Sequence, residues 1–378
     1  WFVRIAVILT RSMSGSGFAT RVTSMLEAYI VAGHEVDVVH FQFGDERPLP
    51  AGITNCLGEY TSVALAEARL RQHASTFPPL VWHCNRSIPD VVRGRMYDLV
   101  QAETSATWGV AAQMSAGARL LTLLDDDAER LHRLGKTSAS RVHRVMFEVS
   151  ARKYARWQRR AMAGADQIWF VSQVELARLA GEPLAANARL VPNGADDALW
   201  DIPIHLESDA PELLFVGPSR YQPNLHGLKW FLSEVWPRVI AAVPSARLRV
   251  VGEGWEELDR TPGVDFIGWR GSLLAEYARS RLVIAPLFAG GGTKLKVVEA
   301  MAAGRPVVAT PVAAEGFVES AGLIISDDPD RFAAAVSRCL NDIDGSNRIG
   351  QTNRHAIGHL KWSAVWDRAL ADLERLVR

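Results

Sequence analysis

A loop of three glycines followed by a helical segment carries the most informative chemistry of this sequence. Residues 290–292 are all glycine, Thr293 follows, and Lys294 and Lys296 come next, with Glu299 three residues after Lys296. Glycines let the backbone approach a ligand closely, and the first N–H groups and the dipole of a helix attract anions. An anion site with a carboxylate beside it suits a diphosphate next to a ribose diol. The spacing alone is equally typical of an ordinary strand–loop–helix turn with a surface Lys296–Glu299 pair.

Two weaker candidate segments lie in the first half of the sequence. Gly15 and Gly17 belong to a small-residue loop after the first apolar run, where a simple strand–helix turn explains them equally well. A dinucleotide-binding fingerprint is excluded there, because Thr20 stands where a third glycine is expected. Residues 125–127 are all aspartate. Their carboxylates, including that of Asp127, could orient an acceptor hydroxyl, although helix capping and solvation explain such a run equally well.

Short apolar runs alternate with longer amphipathic segments, which predicts parallel strands joined by helices. Strands are predicted at residues 3–9, 36–41, 80–84, 98–102, 120–124, 167–171, 213–217, 247–252, 264–268, 282–286, 307–310 and 323–325. Helices are predicted at residues 18–32, 224–242, 295–303, 329–340 and 363–377. Prolines between residues 192 and 211 mark a linker.

We therefore expect an α/β fold of two doubly wound, Rossmann-like domains that face a central cleft. The domains are predicted at residues 1–200 and 201–360, and a C-terminal helix at 361–378 is expected to cross back to the first domain. Because ligands of such folds bind at the carboxyl ends of the strands, the cleft is the expected site.

Composition narrows the class of protein. The chain has 378 residues, of which 48% are apolar, and 42 basic side chains balance 42 acidic ones. This is the composition of a globular protein with a large core, and a net charge of zero argues against a nucleic-acid-binding protein. Three cysteines are too few for a disulfide framework or a four-ligand zinc site, which favours a reducing compartment. No apolar run approaches the roughly 18 residues that a membrane span needs.

Positive charge is concentrated between residues 130 and 160. This stretch holds ten lysines and arginines and one acidic residue, Glu148, which gives a net charge of +9 (ten minus one). One interpretation is a solvated helical face. The other is a patch for an anionic partner, such as a membrane surface or a lipid-diphosphate acceptor.

The segment at residues 286–310 resembles the donor-site motif of retaining GT-B glycosyltransferases of the family-4 type, also called glycosyl transferases group 1. The motif Lys-x-x-Glu-Ala-Met-Ala-x-Gly-x-Pro-Val-Val at residues 296–308 carries the match. Other agreeing stretches follow the family's order, at residues 33–36, 97–103, 165–172, 191–194, 215–217, 223–224, 230–231, 250–252 and 266–268. The resemblance covers nearly the whole chain and implies the GT-B architecture.

The same resemblance implies roles for individual residues. Glu299 binds the ribose hydroxyls of the nucleotide, and Lys294, with Lys296, neutralises the diphosphate. Asp127 is the catalytic candidate of the first domain. The other positions at the donor or its approach loop are Gly15, Gly17, Gly217, Ser219, Arg220, Phe266, Ile267, Gly291, Gly292 and Thr293. Of these, Phe266 and its neighbour border the base.

The sequence departs from the family pattern at three positions. Gly291 stands where the family often has a second Glu that contacts donor sugar hydroxyls. Pro218 stands where many members have Arg, and Asn224 falls near a family Lys. Phosphate neutralisation is therefore expected from Lys294, with Arg220 as a second candidate.

The expected function is that of a hexosyltransferase. It would move a sugar from a UDP-, GDP- or dTDP-sugar to a hydroxyl of a saccharide, lipid-linked or small-molecule acceptor, in cell-envelope or natural-product glycosylation. By the resemblance, the transfer retains the anomeric configuration and needs neither a metal nor a tightly bound cofactor. The expected location is the cytoplasm, with peripheral contact to the inner membrane face through residues 130–160. Two alternatives remain: a sugar-nucleotide epimerase of the same fold, and a catalytically silent sugar-nucleotide-binding subunit.

Overall fold

The chain folds into two compact units in a computed structural model. The structure describes residues 2–9, 17–41, 51–58, 92–124, 126–137, 140–205, 210–256, 258, 261–290, 293–317 and 322–378. One unit comprises Trp1–Pro192 and Trp366–Arg378, and the other comprises Asn193–Val365. The sequence placed the boundary between residues 200 and 201, eight residues after the division between Pro192 and Asn193 in the structure. The functional assignment of the two domains stays a prediction.

The first unit is built on a parallel sheet. Its described strands are β1 (Arg4–Leu9), β2 (Glu35–Phe41), β3 (Ile53–Gly58), β4 (Met96–Glu103), β5 (Ser115–Leu123), β6 (Gln167–Phe170) and β7 (Ala188–Leu190). Their order in the sheet is β3-β2-β1-β4-β5-β6-β7, and each neighbouring pair is parallel. The interior strand β1 is buried on both faces, which is why its sequence is a nearly continuous apolar run.

Helices cover this sheet. Those described are α1 (Gly17–Val31), α2 (Trp108–Ala111), α3 (Asp127–Thr137), α4 (Arg141–Gly164) and α5 (Gln173–Ala177). One core cluster brings Trp108, Tyr154 and Trp157 against strand residues such as Ile168.

The second unit repeats the design. Its described strands are β8 (Glu212–Val216), β9 (Arg247–Val251), β10 (Val264–Gly268), β11 (Leu282–Ala285), β12 (Val307–Ala309) and β13 (Leu323–Ile325), in the sheet order β10-β9-β8-β11-β12-β13. Its described helices are α6 (Gln222–Trp230), α7 (Trp236–Ala242), α8 (Leu274–Arg279), α9 (Leu295–Ala302), α10 (Pro329–Asn341) and α11 (Ile343–Ala356). A π-helical segment, Phe231–Val235, joins α6 to α7.

Two core clusters cover the two faces of this second sheet. Leu214 of β8 packs into the cluster that holds Tyr277 and Met301, whereas its neighbour Phe215 packs into the cluster that holds Trp236. Since successive strand residues point to opposite faces, helices lie on both sides of the sheet. The predicted doubly wound α/β architecture is therefore confirmed.

Some elements were not predicted. No bounds were predicted from the sequence for β3, β7, α2, α3, α4, α5, α8 and α11. The strand predicted at residues 80–84 lies outside the described residues.

A final helix, α12 (Trp362–Val377), ends the chain. From Trp366 onward it groups with the first unit. The Trp366 indole Nε1 donates a hydrogen bond of 3.0 Å to Ser24 Oγ, and the Arg21 guanidinium lies 5.0 Å from the centre of the indole ring. Among the described residues, no helix is both long and apolar enough to cross a membrane.

Candidate functional site

A glycine follows each of the neighbouring strands β8 and β9, and the two glycines lie close together at the carboxyl ends of these strands. Gly217 follows β8 and Gly252 follows β9, with φ angles of +146° and +145° that favour glycine. A Cβ atom on Gly252 would lie 2.2 Å from the carbonyl oxygen of Gly217. The backbone N–H of Gly217 donates to the Val251 carbonyl at 2.8 Å, and the Trp255 indole donates to the Gly217 carbonyl at 2.9 Å. The two strand ends thus approach each other too closely for a side chain at residue 252.

Helix α9 begins beside these strand ends. Its buried side chains Val297, Val298 and Met301 follow a helical repeat and anchor it to the core. Lys294 occupies the N-cap position, with φ −81° and ψ 110°, and makes no side-chain capping bond. The start of α9 therefore lacks the Ser, Thr, Asp or Asn side chain that would normally cap it, and it suits an anion.

Lys294 lies at the base of the glycine loop. Its side chain is only 8% exposed, and its ammonium donates to the Gly290 carbonyl at 3.4 Å. Gly290 has a φ of +117°, and a Cβ atom there would lie 2.7 Å from the Tyr221 hydroxyl. Gly291 and Gly292 lie outside the described residues. The carbonyl of Thr293 accepts a 3.0 Å hydrogen bond from the Asn193 amide.

Lys296 points into the same unit rather than to solvent. Its ammonium donates to Asn224 Oδ1 at 2.7 Å and lies 4.5 Å from the centre of the Phe215 ring. Burial lowers the pKa of Lys296 to about 7, and the charge of Lys294 lowers it further, while Glu299 opposes both effects. The pKa of this lysine is therefore well below that of a solvated lysine, and an added negative charge nearby would raise it.

Glu299 accepts a hydrogen bond of 2.8 Å from the hydroxyl of Tyr277 on α8. Burial raises the pKa of the Glu299 carboxyl to about 7, against the opposing effects of Tyr277 and Lys296. Because Lys296 and Glu299 have other partners in a desolvated setting, the alternative of an ordinary surface pair is wrong. A carboxylate, two lysines and a helix start thus occupy one end of the second sheet.

Two residues to which the sequence interpretation assigned no role complete this group. Tyr277 reaches Glu299 from 22 residues away, and Asn224 reaches Lys296 from 72 residues away. Asn224 also donates to the Pro218 carbonyl at 3.0 Å, which ties Lys296 to the turn after β8. The local sequence around Tyr277 contains no signal for this role.

Ser219 and Arg220 follow the same turn but have partners of their own. The Ser219 backbone N–H donates to the Glu253 carbonyl at 2.9 Å, and its hydroxyl donates to the Gly254 carbonyl. Arg220 forms an exposed ion pair of 3.3 Å with Glu253. Its role as a second diphosphate-binding cation stays a prediction.

The predicted base-binding residues lie on β10, at one edge of the sheet. Phe266 pairs with Val250 and Gly268 pairs with Val251, so that Ile267 forms a bulge between them. Phe266 and Ile267 are half-buried and pack toward different core clusters. At most one of the two can therefore present its side chain to a ligand on a given face of this strand.

The predicted residues of the first unit are only partly described. Gly17 begins α1, and Gly15 lies outside the described residues. Asp127 begins α3, while Asp126 accepts a 3.0 Å hydrogen bond from the Glu129 backbone N–H and pairs with Arg178 at 2.9 Å. The capping interpretation therefore holds for Asp126, and the catalytic role of Asp127 stays a prediction.

A buried polar network lies at the carboxyl end of β4 in the first unit. One carboxylate oxygen of Glu103 accepts hydrogen bonds from Gln101 at 2.6 Å and Thr122 at 2.7 Å, and Gln101 in turn accepts from Tyr29 at 2.6 Å. Burial raises the pKa of Glu103. Thr104, the next residue, has a φ of +88°, which a threonine rarely adopts. The sequence analysis included Glu103 only as the last residue of the stretch 97–103 that agrees with the family.

Two family models of sugar-transferring proteins match consecutive parts of the chain. Residues 15–199 match the family model described as Glycosyltransferase Family 4, and residues 210–342 match that of Glycosyl transferases group 1. The chain is 24% identical over 357 residues to an uncharacterized 44.6 kDa protein in the cps region of Klebsiella pneumoniae, covering 86% of this chain and 87% of that protein. It is 32% identical over 201 residues to a phosphatidyl-myo-inositol mannosyltransferase of Mycolicibacterium smegmatis, covering 49% of this chain and 51% of that protein.

Solved structures share the whole architecture. A sucrose-phosphate synthase of Thermosynechococcus elongatus superposes with a TM-score of 0.70 at 19% identity, covering 98% of each chain. HepE of Anabaena, solved in complex with UDP-glucose, superposes with a TM-score of 0.63 at 16% identity, covering 99% of this chain and 100% of that chain. At these identities the likeness shows the fold, which is the two-domain GT-B fold.

Proposed function

We propose that this chain, which its two family matches show to be a glycosyltransferase, moves a sugar from a nucleoside-diphosphate sugar to an acceptor hydroxyl with retention of configuration. The observation that carries the proposal is the grouping of Lys294, Lys296 and Glu299 at the start of α9. A diphosphate needs cations and N–H donors, and a ribose diol needs a carboxylate acceptor. This part of the second unit supplies all of them within six residues.

Each group has a defined task in the proposed reaction. Glu299 accepts hydrogen bonds from the ribose hydroxyls, with Tyr277 holding its carboxylate in place. Lys294 and the N–H groups at the start of α9 face the diphosphate, and the negative charge of the diphosphate raises the pKa of Lys296. Stabilising the leaving diphosphate in this way lowers the barrier to breaking the sugar–phosphate bond. Two lysines and a helix dipole supply the charge that a divalent metal supplies elsewhere, which supports a metal-independent transfer.

The remaining donor contacts follow the family pattern. Gly217 and Ser219 would line the phosphate side, and Phe266 and Ile267 would border the base. Gly291 leaves the donor sugar without the usual second Glu. We further propose a UDP-sugar as the donor to test before GDP- and dTDP-sugars, because the structural neighbour HepE is solved with UDP-glucose.

The acceptor and the location belong to the same proposal. The acceptor would be a saccharide, a lipid-linked sugar or a small molecule. The proposed location is the cytoplasm, with peripheral contact to the inner membrane face through residues 130–160. The net charge of +9 in that stretch supports this contact.

Incubation of the purified protein with UDP-, GDP- and dTDP-sugars tests the reaction class. A transferase slowly hydrolyses its donor to free sugar and the nucleoside diphosphate, and EDTA leaves the rate unchanged. Conversion of the donor into an epimeric sugar nucleotide would identify an epimerase instead. Binding without any turnover would identify a silent subunit, and a strict Mn²⁺ requirement would overturn the proposed metal independence.

A further inference from the structure

Helix α4 carries an exposed apolar stripe. Val142, Val145, Met146 and Val149 are 67%, 64%, 40% and 45% exposed, and they are four of the thirteen exposed large apolar side chains of the described residues. Their spacing is i, i+3, i+4 and i+7, which places them within an arc of about 100° on the helix surface. Scattered exposed apolar side chains need no explanation, whereas a continuous stripe does.

The stripe is not a part of the core. The buried residues of α4 are Ala151, Tyr154, Trp157, Ala161 and Met162. They are centred on a different face of the helix, where Tyr154 joins the core, and Trp157, nearer to the stripe, donates a 2.6 Å hydrogen bond to the Ser105 carbonyl. Other residues of α4 therefore make its contacts with the core of the first unit, and the exposed stripe takes no part in them.

The outer face changes character along the helix. Beyond Val149 it continues as Arg152, Lys153, Arg156, Arg159 and Arg160. The whole helix holds seven basic residues and one acid, Glu148, so its net charge is +6 (seven minus one). Arg152 pairs with Glu148 and Arg159 pairs with Glu182, both at the surface, so screening by water keeps these pairs weak. The outer face of α4 is thus apolar toward the start of the helix and carries guanidinium groups toward its end.

We infer that α4 lies flat on an anionic lipid bilayer, with its valines in the headgroup–acyl boundary and its arginines on the lipid phosphates. An amphipathic helix with basic residues beside its apolar face binds such interfaces in this way. The occupant is an anionic bilayer, because the apolar stripe lies beside an excess of positive charge, +6 along the helix, that is complementary to a lipid surface of negative charge. Guanidinium groups pair with phosphate in a planar, two-pronged geometry.

This inference rests on the proposed membrane contact of residues 130–160 and deepens it. The contact is narrowed to one helix face, and it gains an apolar component that the net charge alone does not require. Its partner is the bilayer surface rather than a lipid-diphosphate acceptor. Donor binding in the second unit plays no part in it.

Co-sedimentation of the purified full chain with vesicles tests the inference. One set of vesicles contains phosphatidylcholine alone, and the other adds about one third phosphatidylglycerol. We expect binding to the anionic set that falls as salt is raised. The double variant Val142→Ser/Val145→Ser should bind at least about tenfold more weakly. The double variant Arg156→Gln/Arg160→Gln should bind about 30-fold more weakly, since each lost charge near the surface removes roughly a factor of five.

Matched controls separate this face from the rest of the protein. Val31→Ser/Val174→Ser changes two exposed valines elsewhere in the first unit, and Arg331→Gln/Arg338→Gln changes two exposed arginines of α10. Both controls should bind like the unaltered protein, and all variants should unfold at the same temperature.

Three results would overturn the inference: no binding to anionic vesicles, undiminished binding by the valine variant, or release from vesicles by millimolar inorganic pyrophosphate at constant ionic strength. Concentration-dependent self-association abolished by the valine variant, without vesicle binding, would assign the face to a second copy of the chain. Donor hydrolysis measured without vesicles tests the proposed enzyme activity separately, so that either proposal can fail alone.

Discussion

Replacing Glu299 by glutamine should stabilise the ligand-free protein while weakening its affinity for a nucleotide sugar. Burial raises the pKa of this carboxyl from 4.5 to about 7. Between those two values the unfolded chain releases a proton that the folded chain keeps, so stability falls as the pH rises. Glutamine has no proton to release in this range, and its amide oxygen can still accept the hydrogen bond from Tyr277.

The magnitude follows from the pKa difference. The interval from 4.5 to about 7 multiplied by 1.36 kcal/mol per pH unit gives an upper limit of about 3 kcal/mol at pH 8. Two effects reduce this limit. Part of the Glu299 side chain is accessible to water, and its removal takes away the negative charge that favours protonated Lys296. We therefore expect Glu299→Gln to gain about 1–2 kcal/mol at pH 8 and almost nothing near pH 4.5.

Urea unfolding at pH 5 and pH 8 measures this difference. Glu234→Gln provides the control, since Glu234 is an exposed carboxylate of the same unit and should change stability little at either pH. Calorimetry with UDP-glucose should show at least a tenfold loss of affinity for Glu299→Gln, because a charge-assisted acceptor becomes a neutral one. A destabilised variant at pH 8, or an equal stability change at both pH values, would refute the reasoning.

Three further substitutions test the remaining structural claims. Tyr277→Phe removes a hydrogen bond that lowers the pKa of Glu299. The affinity for UDP-glucose should therefore fall about threefold at pH 7 and recover as the pH is raised. Calorimetry between pH 6 and 8 measures this, and a pH dependence of affinity equal to that of the unaltered protein would contradict it. Gly252→Ala should lower the free energy of unfolding, measured with urea, by more than about 2 kcal/mol, because its Cβ would lie 2.2 Å from a backbone oxygen. Gly271→Ala, whose Cβ would meet only ordinary contacts, should change this free energy little. Glu103→Ala should cost about 2–4 kcal/mol, since two buried donors lose their acceptor; an unchanged midpoint would mean that the network contributes nothing to stability.

Much of the fold was predictable from local pattern. The strands β1, β8 and β11 are short apolar runs that helices bury on both faces, and such runs are recognisable in any sequence. Helix α11 was missed because its sequence, IDGSNRIGQTNRHA, has almost no apolar repeat. Its contacts are made elsewhere in the chain: Arg354 donates to the carbonyls of Ala302, Trp200 and Ile202. Tertiary hydrogen bonds of this kind leave no periodic signal.

The same distinction between local sequence pattern and tertiary contacts applies to the candidate site. Lys294, Lys296 and Glu299 could be found from sequence because they lie within one short motif that also resembles a family pattern. Their environment could not, since Tyr277 and Asn224 come from other helices. The altered pKa values of the lysine and the carboxyl are a property of packing, and only the folded arrangement reveals them.

The two concentrations of positive charge in this chain are built from different side chains, and the difference suits their proposed partners. Burial can shift a lysine across neutral pH, whereas an arginine stays charged. Burial lowers the pKa of Lys296 to about 7, so the charge of this lysine responds to an anion beside it. The outer face of α4 is mostly arginine and remains in water, so its charge is constant and stabilises contact with permanently anionic lipid. The affinity for the donor should therefore depend on pH, and the affinity for a bilayer should depend on salt concentration. Neither dependence could be predicted from the net charge of zero of the whole chain.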